Sequence, residues 1–426
     1  MDLEQISEAL QQLSQEDMGE LSRRMVTAVR QSEFQPTNTV DLFITQACNL
    51  RCDYCFVGRK KPRHATEEQL HRAVDFVLKE SANAKQVKFV LFGGEPLLRK
   101  DLVRSVAEYS RRRGRETGKQ VIFELTTNGT LIDDDALELA HEFGFNYLIS
   151  IDGDRCSHDL HRKMPDGSGS FDTIVDKIPL VQRWDGHGAA GRVTVNPDTI
   201  GRLARGIREL VEIGFTFFLI AANEDVTWSR EDLDEYGRQL EEVARFYIKV
   251  NEKERRVQIP TFMEPLEVKQ KRFTHLWGCH AGRGRLAIDC DGRIFPCARF
   301  AGLQDDEGVY QLGTLEDGIT EWAARRRVSY DDPQTRYHCL ACEYHEYCTG
   351  GCPATSFQNC GSVFRPTEVF CAVAKTTLKI LKEMPEVAQI WPLPTEAPYE
   401  KADSCETEAP SGGQPELEGE HIQPIS

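Results

Sequence analysis

No stretch of this sequence approaches the ~20 uninterrupted apolar residues that a membrane-crossing helix needs. Nor does it open like a secreted protein. Met1-Asp2-Leu3-Glu4-Gln5 is acidic, with no apolar run behind a basic patch, which predicts no export signal and a cytoplasmic, reducing setting. Positive charge is also short: 52 Lys and Arg stand against 68 Asp and Glu in 426 residues, a formal net charge of −16. That balance excludes broad nucleic-acid binding, which needs cations to displace counterions. Otherwise the composition is that of an ordinary soluble protein, 40% hydrophobic and 28% charged, long enough for two or three domains.

What the chain has in excess is cysteine, 14 in all. Three lie within Cys48–Cys55, nine within Cys279–Cys371, and Cys156 and Cys405 stand alone. In a reducing compartment a disulfide framework is not expected, so clustered thiols read as metal ligands.

Apolar positions at Leu3, Ile6, Leu10, Leu13, Leu21, Met25 and Val29 step by three and four, predicting an amphipathic helical segment over residues 1–38. From residue 39 strands and helices alternate. Strand-like runs are Thr39–Thr45, Val87–Phe92, Val121–Thr127, Tyr147–Asp152, Arg192–Asn196 and Phe215–Ala222. Helical stretches follow them: one capped by Thr66 with Gln69 three residues on, then Lys100–Arg113, Asp133–Phe143, Ser170–Gln182 and Ile200–Ile213. Six βα units predict a parallel sheet with right-handed crossovers, too few for a closed eight-stranded barrel. An α/β fold built as an open, partial (β/α)6 barrel fits, with its site at the carboxyl ends of the strands. A further helix is expected at Glu231–Val250 and a closing one at Glu368–Glu383. Between them Leu286–Asp289, Cys290-Asp291-Gly292 and Arg293–Pro296 read as a hairpin. The tail is Pro-rich and acidic, and it is expected to be disordered.

Cys48-Asn49-Leu50-Arg51-Cys52-Asp53-Tyr54-Cys55 is a CxxxCxxC run directly after the first strand. Three closely spaced thiolates suit a 4Fe–4S cube and leave one iron without a protein ligand, the mark of a catalytic rather than a structural metal site. A structural zinc would want a fourth ligand nearby, yet the next His or Cys is His64.

This motif after the first strand resembles the radical S-adenosylmethionine (SAM) superfamily over about residues 39–225. The resemblance implies that SAM chelates the open iron and that reductive cleavage of its sulfonium carbon–sulfur bond yields a 5′-deoxyadenosyl radical, which abstracts hydrogen from an unactivated carbon. It further implies SAM contacts. Gly93, Gly94 and Glu95 lie in a GGEP-like turn after the second strand, where glycines allow close backbone approach. Asn128 sits at the ribose-contacting position, Ser150 is similar to a polar contact, Arg192 is placed to meet the SAM carboxylate, and Phe56 sits where the family packs adenine. His158, Asp159 and Arg162 match a supporting segment after the fourth strand.

The second cysteine set reads Cys279, Gly292, Cys297, Cys339, Cys342, Cys348, Cys352 and Cys371, and it resembles the SPASM extension of radical SAM enzymes that modify peptides and proteins. The resemblance implies two auxiliary 4Fe–4S clusters, one on Cys279, Cys297 and Cys352, the other on Cys339, Cys342, Cys348 and Cys371. For the first of these a fourth ligand stays open between Cys360 and a vacant iron. Cys290 is disfavoured, because a hairpin-tip residue lies about 15–20 Å from the base of a six-residue arm. The expected organisation is a helical segment 1–38, a barrel 39–255, a linker 256–278, a Cys-rich α+β SPASM domain 279–385 and a tail 386–426.

The resemblance implies SAM and three 4Fe–4S clusters as cofactors. It also implies a precursor-peptide substrate and a low-potential electron donor of the flavodoxin or ferredoxin type. The amino-terminal segment is too short and too helical for a leader-gripping winged helix, which leaves a separate leader-binding protein or direct docking on the barrel. Two auxiliary clusters suggest that electrons leave the substrate, hence net oxidation. Gly282-Arg283-Gly284, Arg293-Ile294-Phe295-Pro296-Cys297 and Tyr310-Gln311-Leu312-Gly313-Thr314 resemble maturases of ribosomally made peptides, which form thioether or carbon–carbon cross-links. The alternative is an anaerobic sulfatase-maturing enzyme, which oxidises Cys or Ser to formylglycine. That family places an Asp, its candidate base, directly after the cysteine that Cys297 matches, where this chain has Ala298 and then Arg299.

Overall fold

A computed structural model of the chain describes residues 34, 36–57, 60–185, 188–252, 257–266, 280–303, 308–329 and 337–390. The amino-terminal helical expectation, Cys279, most of the linker and the tail from residue 391 on fall outside the described residues. The start of the tail departs from its expected disorder: Glu386–Gln389 is a short helix, held by the burial of Val387.

Six strands run in parallel: β1 (Thr39–Thr45), β2 (Gln86–Gly93), β3 (Gln120–Thr127), β4 (Phe145–Ser150), β5 (Ala189–Val195) and β6 (Phe215–Ala222). Each pairs with the next in sequence order. Helices fill the crossovers that parallel pairing of successive strands requires. The helix Glu67–Glu80 starts as its sequence dictates. Thr66 accepts from the Gln69 N–H while Gln69 reaches back to the Thr66 N–H, a complete capping box. The helix Arg230–Asn251 carries a second such box on Ser229 and Asp232.

Two local expectations shift. The single helix expected over Ser170–Gln182 is two, Phe171–Val175 and Ile178–Asp185. Pro179 is the cause: it offers no N–H, and its ring collides with the carbonyl four residues back, that of Val175. β5 also begins three residues earlier than expected, at the small residues Ala189-Ala190-Gly191, so Arg192 lies mid-strand instead of opening it.

The larger finding is where the hairpin goes. β7 (Arg285–Ile288) and β8 (Arg293–Phe295) form it, followed by the short β9 (Gly313–Thr314) and β10 (Gly318–Ile319). β7 lies parallel to β1, Thr39 opposite Arg285 and Leu42 opposite Ile288, so one sheet runs β10-β9-β8-β7-β1-β2-β3-β4-β5-β6. The Cys-rich region thus continues the barrel sheet. Asp41 fastens the junction. It is 1% exposed, and its carboxylate takes Nε of Arg285 at 2.9 Å, Nη2 of the same residue, and the Ala298 N–H at 3.0 Å. A buried carboxylate is tolerable only when its lone pairs are satisfied in this way.

Candidate active site at the carboxyl ends of the strands

The thiol loop leaves β1 and is clamped by the turn after β2. Gly94 N–H donates to Thr45 O at 2.7 Å and Glu95 N–H to Ala47 O at 2.8 Å. A Cβ on Gly93 would lie 2.1 Å from Thr45 O, and one on Gly94 2.1 Å from Ala47 O. Gly93 also has φ +135°, outside the range of L side chains. Both glycines are therefore required by the approach of the cysteine loop itself.

Glu95 is fully buried and turned inward. Its carboxylate accepts from Leu97 N at 3.0 Å, Thr127 Oγ1 at 2.9 Å and Asn128 N at 2.7 Å, stitching the turn after β2 to the end of β3. Burial pushes its acid constant up to about 7, and those three donors oppose the shift. Asn128 closes a ring. Its Nδ2 donates to Asn49 Oδ1 at 2.8 Å and lies 3.8 Å from Cys48 Sγ, while Asn49 Nδ2 donates to Thr130 Oγ1 and that hydroxyl donates to Asn128 Oδ1. The expected ribose position is thus beside the first thiol.

The second anchor comes from β4. Asp152, just past the strand end, accepts from Arg162 Nε at 2.8 Å, Arg162 Nη2 at 3.2 Å, Thr194 N at 2.9 Å and the Tyr54 hydroxyl. Tyr54 stands between Cys52 and Cys55, and Arg162 lies 5.3 Å from its ring centre. His158 accepts the Asp152 N–H at Nδ1, so its Nε2 carries the hydrogen and donates to Ser170 Oγ. Burial holds His158 neutral, its acid constant pushed down to about 3. The segment expected to support the site does so through Asp152 and Tyr54. A carboxyl at the strand end between apolar Ile151 and Gly153 was the available signal for Asp152; nothing in the sequence marks Tyr54.

Cys48, Cys52 and Cys55 are all partly buried and close enough to repel one another as thiolates. Burial pushes Cys52 up to about 11, with the Arg162 charge opposing it, and raises Cys48 as well. Three crowded thiols are a fit donor set for iron, because coordination deprotonates a thiol outright.

Phe56 stacks on Phe92 with ring centres 5.9 Å apart and lies under the Arg299 guanidinium at 5.0 Å. Arg192 is enclosed, with Nη1 donating to Val193 O at 3.0 Å and Leu219 O at 3.2 Å. Ser150 ends β4 opposite Arg192. Beside the thiols a cleft of about 540 Å³ is lined by Tyr54, Cys55 and Phe56 on the barrel side and by Gly302, Leu303 and Phe357 on the Cys-rich side. Asp225, from the loop after β6, also lines it and pairs with Arg299. Neither residue of that pair is evident from spacing.

Cys339, Cys342, Cys348 and Cys371 come together. The Cys371 thiol is pushed up to about 11, first by burial and then by the neighbouring Cys348, Cys339 and Cys342. Cys297 caps the helix Ala298–Gly302 and Cys352 the helix Pro353–Cys360. Cys360 closes the helix that Cys352 opens, eight residues and about 12 Å along its axis at ~1.5 Å rise per residue. Cys290 is buried at the hairpin tip and donates to Phe43 O. Among the described residues no three metal-ligating side chains converge on a point that one ion could occupy. A cube spreads its ligands over four irons, so its thiols need only surround it. Among the described residues no helix is long and apolar enough to cross a membrane.

Comparison with known proteins agrees with this geometry. The Radical SAM superfamily matches residues 42–183. A serine-type anaerobic sulfatase-maturating enzyme of Klebsiella aerogenes is 26% identical over 361 residues, covering 77% of this chain and 85% of the relative. The radical SAM cyclopropyl synthase TigE of Paramaledivibacter caminithermalis is 21% identical over 399 residues, covering 86% and 78%. Among solved structures, native anSMEcpe with bound AdoMet superposes with a TM-score of 0.67 at 20% identity, covering 83% of this chain and 98% of that one. Streptococcus suis SuiB bound to precursor peptide SuiA gives 0.54 at 17% identity, covering 83% and 80%. These likenesses extend the shared fold beyond the matched domain into the Cys-rich region.

Proposed function

We propose that this chain, a radical SAM enzyme by the domain at residues 42–183, oxidises a side chain of a ribosomally made precursor peptide, closing an intramolecular thioether or carbon–carbon cross-link. Cys48, Cys52 and Cys55 would hold a 4Fe–4S cluster which, with SAM on its fourth iron, supplies hydrogen abstraction from an unactivated carbon. Gly93 and Gly94 place the loop; Glu95, Asn128, Ser150, Arg192 and Phe56 are assigned as the nucleotide contacts. Two auxiliary clusters are assigned to the carboxyl-terminal thiols: Cys279, Cys297 and Cys352 for one, Cys339, Cys342, Cys348 and Cys371 for the other. The residue ranges 39–255 and 279–385 are read as the barrel and the SPASM domain, in a cytoplasmic protein served by a low-potential flavodoxin or ferredoxin and, in some form, by a leader-binding partner.

The observation that carries the peptide reading is the cleft. It runs between the first thiol loop and the helices begun by Cys297 and Cys352, so a side chain seated there lies between a radical source and an electron acceptor. Its volume of about 540 Å³ suits a side chain with adjoining backbone. Phe56 and Phe357 give it an aromatic face on each side.

A second reading, maturation of a sulfatase, is favoured by the Klebsiella likeness and by one feature of the cleft. Ala298 offers no carboxylate, its N–H being bound to Asp41, yet Asp225 brings one to the same wall on Arg299. Anaerobically reconstituted enzyme given SAM and dithionite is expected to release 5′-deoxyadenosine, and Cys55→Ala to release none. Peptides encoded beside the gene then decide. Loss of a hydrogen pair without an aldehyde supports the cross-link, and a hydrazine-reactive aldehyde on a sulfatase peptide replaces it with the second reading.

A further inference from the structure

Lys60 follows Cys55 by five residues and donates from Nζ to Cys55 Sγ at 2.7 Å. Among the described residues no carboxylate lies within ion-pair reach of that ammonium. The other two thiols differ. Cys48 takes only neutral donors, Leu50 N at 3.4 Å and Asn128 Nδ2 at 3.8 Å. Cys52 faces Arg162, whose charge is already balanced by Asp152. A cation without a counter-ion therefore bears on the ligand set from one side, through Cys55, and its field reaches Cys48 and the buried Glu95 as well.

The potential of an iron–sulfur cluster is set by net charge, by hydrogen bonds to sulfur and by solvent exposure. Reduction adds one negative charge. An ammonium hydrogen-bonded to a ligand sulfur favours the reduced form, and hydrogen bonds to an ionised partner are the strong kind. Arg162 contributes little, since Asp152 cancels it at range.

We propose that Lys60 sets the reduction potential of the cluster held by Cys48, Cys52 and Cys55, raising it through its hydrogen bond to Cys55 so that a physiological donor can deliver the electron. This rests on the cluster assignment above. Lys60 gives up no proton and forms no covalent bond; it is a positioning residue that acts through the sulfur.

The test is an EPR-monitored redox titration of full-length, anaerobically reconstituted protein, following the signal that changes when SAM is added. That criterion separates this cluster from the auxiliary ones. In Lys60→Met and Lys60→Gln the reduction equilibrium is expected to fall at least tenfold, a negative shift of 59 mV for one electron. Lys60→Arg, which keeps the charge and the donor, is expected to stay near the parent. An unchanged potential in the loaded fraction of both neutral variants overturns the proposal. So does failure of both to take up this cluster while Lys60→Arg does, which makes Lys60 an assembly residue. If the parent shows no SAM-responsive signal, the cluster assignment itself has failed and the proposal falls with it.

Discussion

Replacing Arg162 by Met tests whether the buried pair, and not the thiol loop alone, holds the site in shape. The Asp152 side chain is 2% exposed and that of Arg162 9%. Asp152 takes four donors, two of them from Arg162 and one from Tyr54 within the cysteine loop. Removing the guanidinium leaves a carboxylate in the interior without a counter-charge, which costs about 3–5 kcal/mol. For a folded unit on the order of 300 residues, unfolding entropy at roughly 2.1 cal/mol/K per residue converts 4 kcal/mol into about 6 °C of Tm. Asp152→Asn should cost a similar amount, because it strands the guanidinium instead. The double variant buries no unpaired charge and is expected to recover at least half of the loss. The assay is differential scanning at one scan rate on protein of equal iron content. A single variant melting within about 1 °C of the parent, or a double variant whose loss equals the sum of the two singles, would refute the reasoning.

Gly94→Ala is expected to cost most of the iron bound at the first loop while the auxiliary iron stays, since its Cβ would stand 2.1 Å from Ala47 O and must push the loop away; iron content with and without Cys55→Ala reads the difference. Cys371→Ser should remove about a third of roughly twelve irons per chain, whereas Cys290→Ser should remove none, because that thiol is engaged by Phe43 O and the Ala65 backbone. The pH dependence has a defined sign. His158 refuses a proton down to about pH 3, so folding loses stability as pH falls from about 6.5. Glu95 keeps its proton up to about pH 7, so folding loses stability as pH rises from about 4.5. Between those limits the two slopes cancel. His158→Gln should unmask the second, its stability relative to the parent dropping about 1.4 kcal/mol per pH unit as pH rises from 4.5 to 6.5. A flat difference curve would remove His158 from the account.

The parts of this molecule that announce themselves in sequence are local. The CxxxCxxC loop, the glycine pair, the Thr66 capping box and the helix Glu368–Glu383 each follow from residues within one or two turns of chain. The break at Pro179 is equally local, but the apolar pattern runs across it and masks it. What stayed hidden depends on how the chain folds back on itself. β7 lying on β1 requires Asp41 to meet Arg285, two residues that carry no mark of each other. Lys60 reads as one basic residue in a basic run, and Asp225 as one of several acidic loop residues. Only the fold brings the first to Cys55 and the second to Arg299.

The seam between β1 and β7 sets a timetable for biosynthesis. The salt link across it joins positions 244 residues apart. A ribosome moving at about 5–20 residues per second needs roughly 12–50 s to make that interval. For that period β1 has one flank of unsatisfied amides, the kind of edge that recruits other chains. Late completion of an early strand thus makes the nascent polypeptide a candidate client of chaperones. Iron loading that precedes closure of the seam would seat the cofactor in a half-built wall.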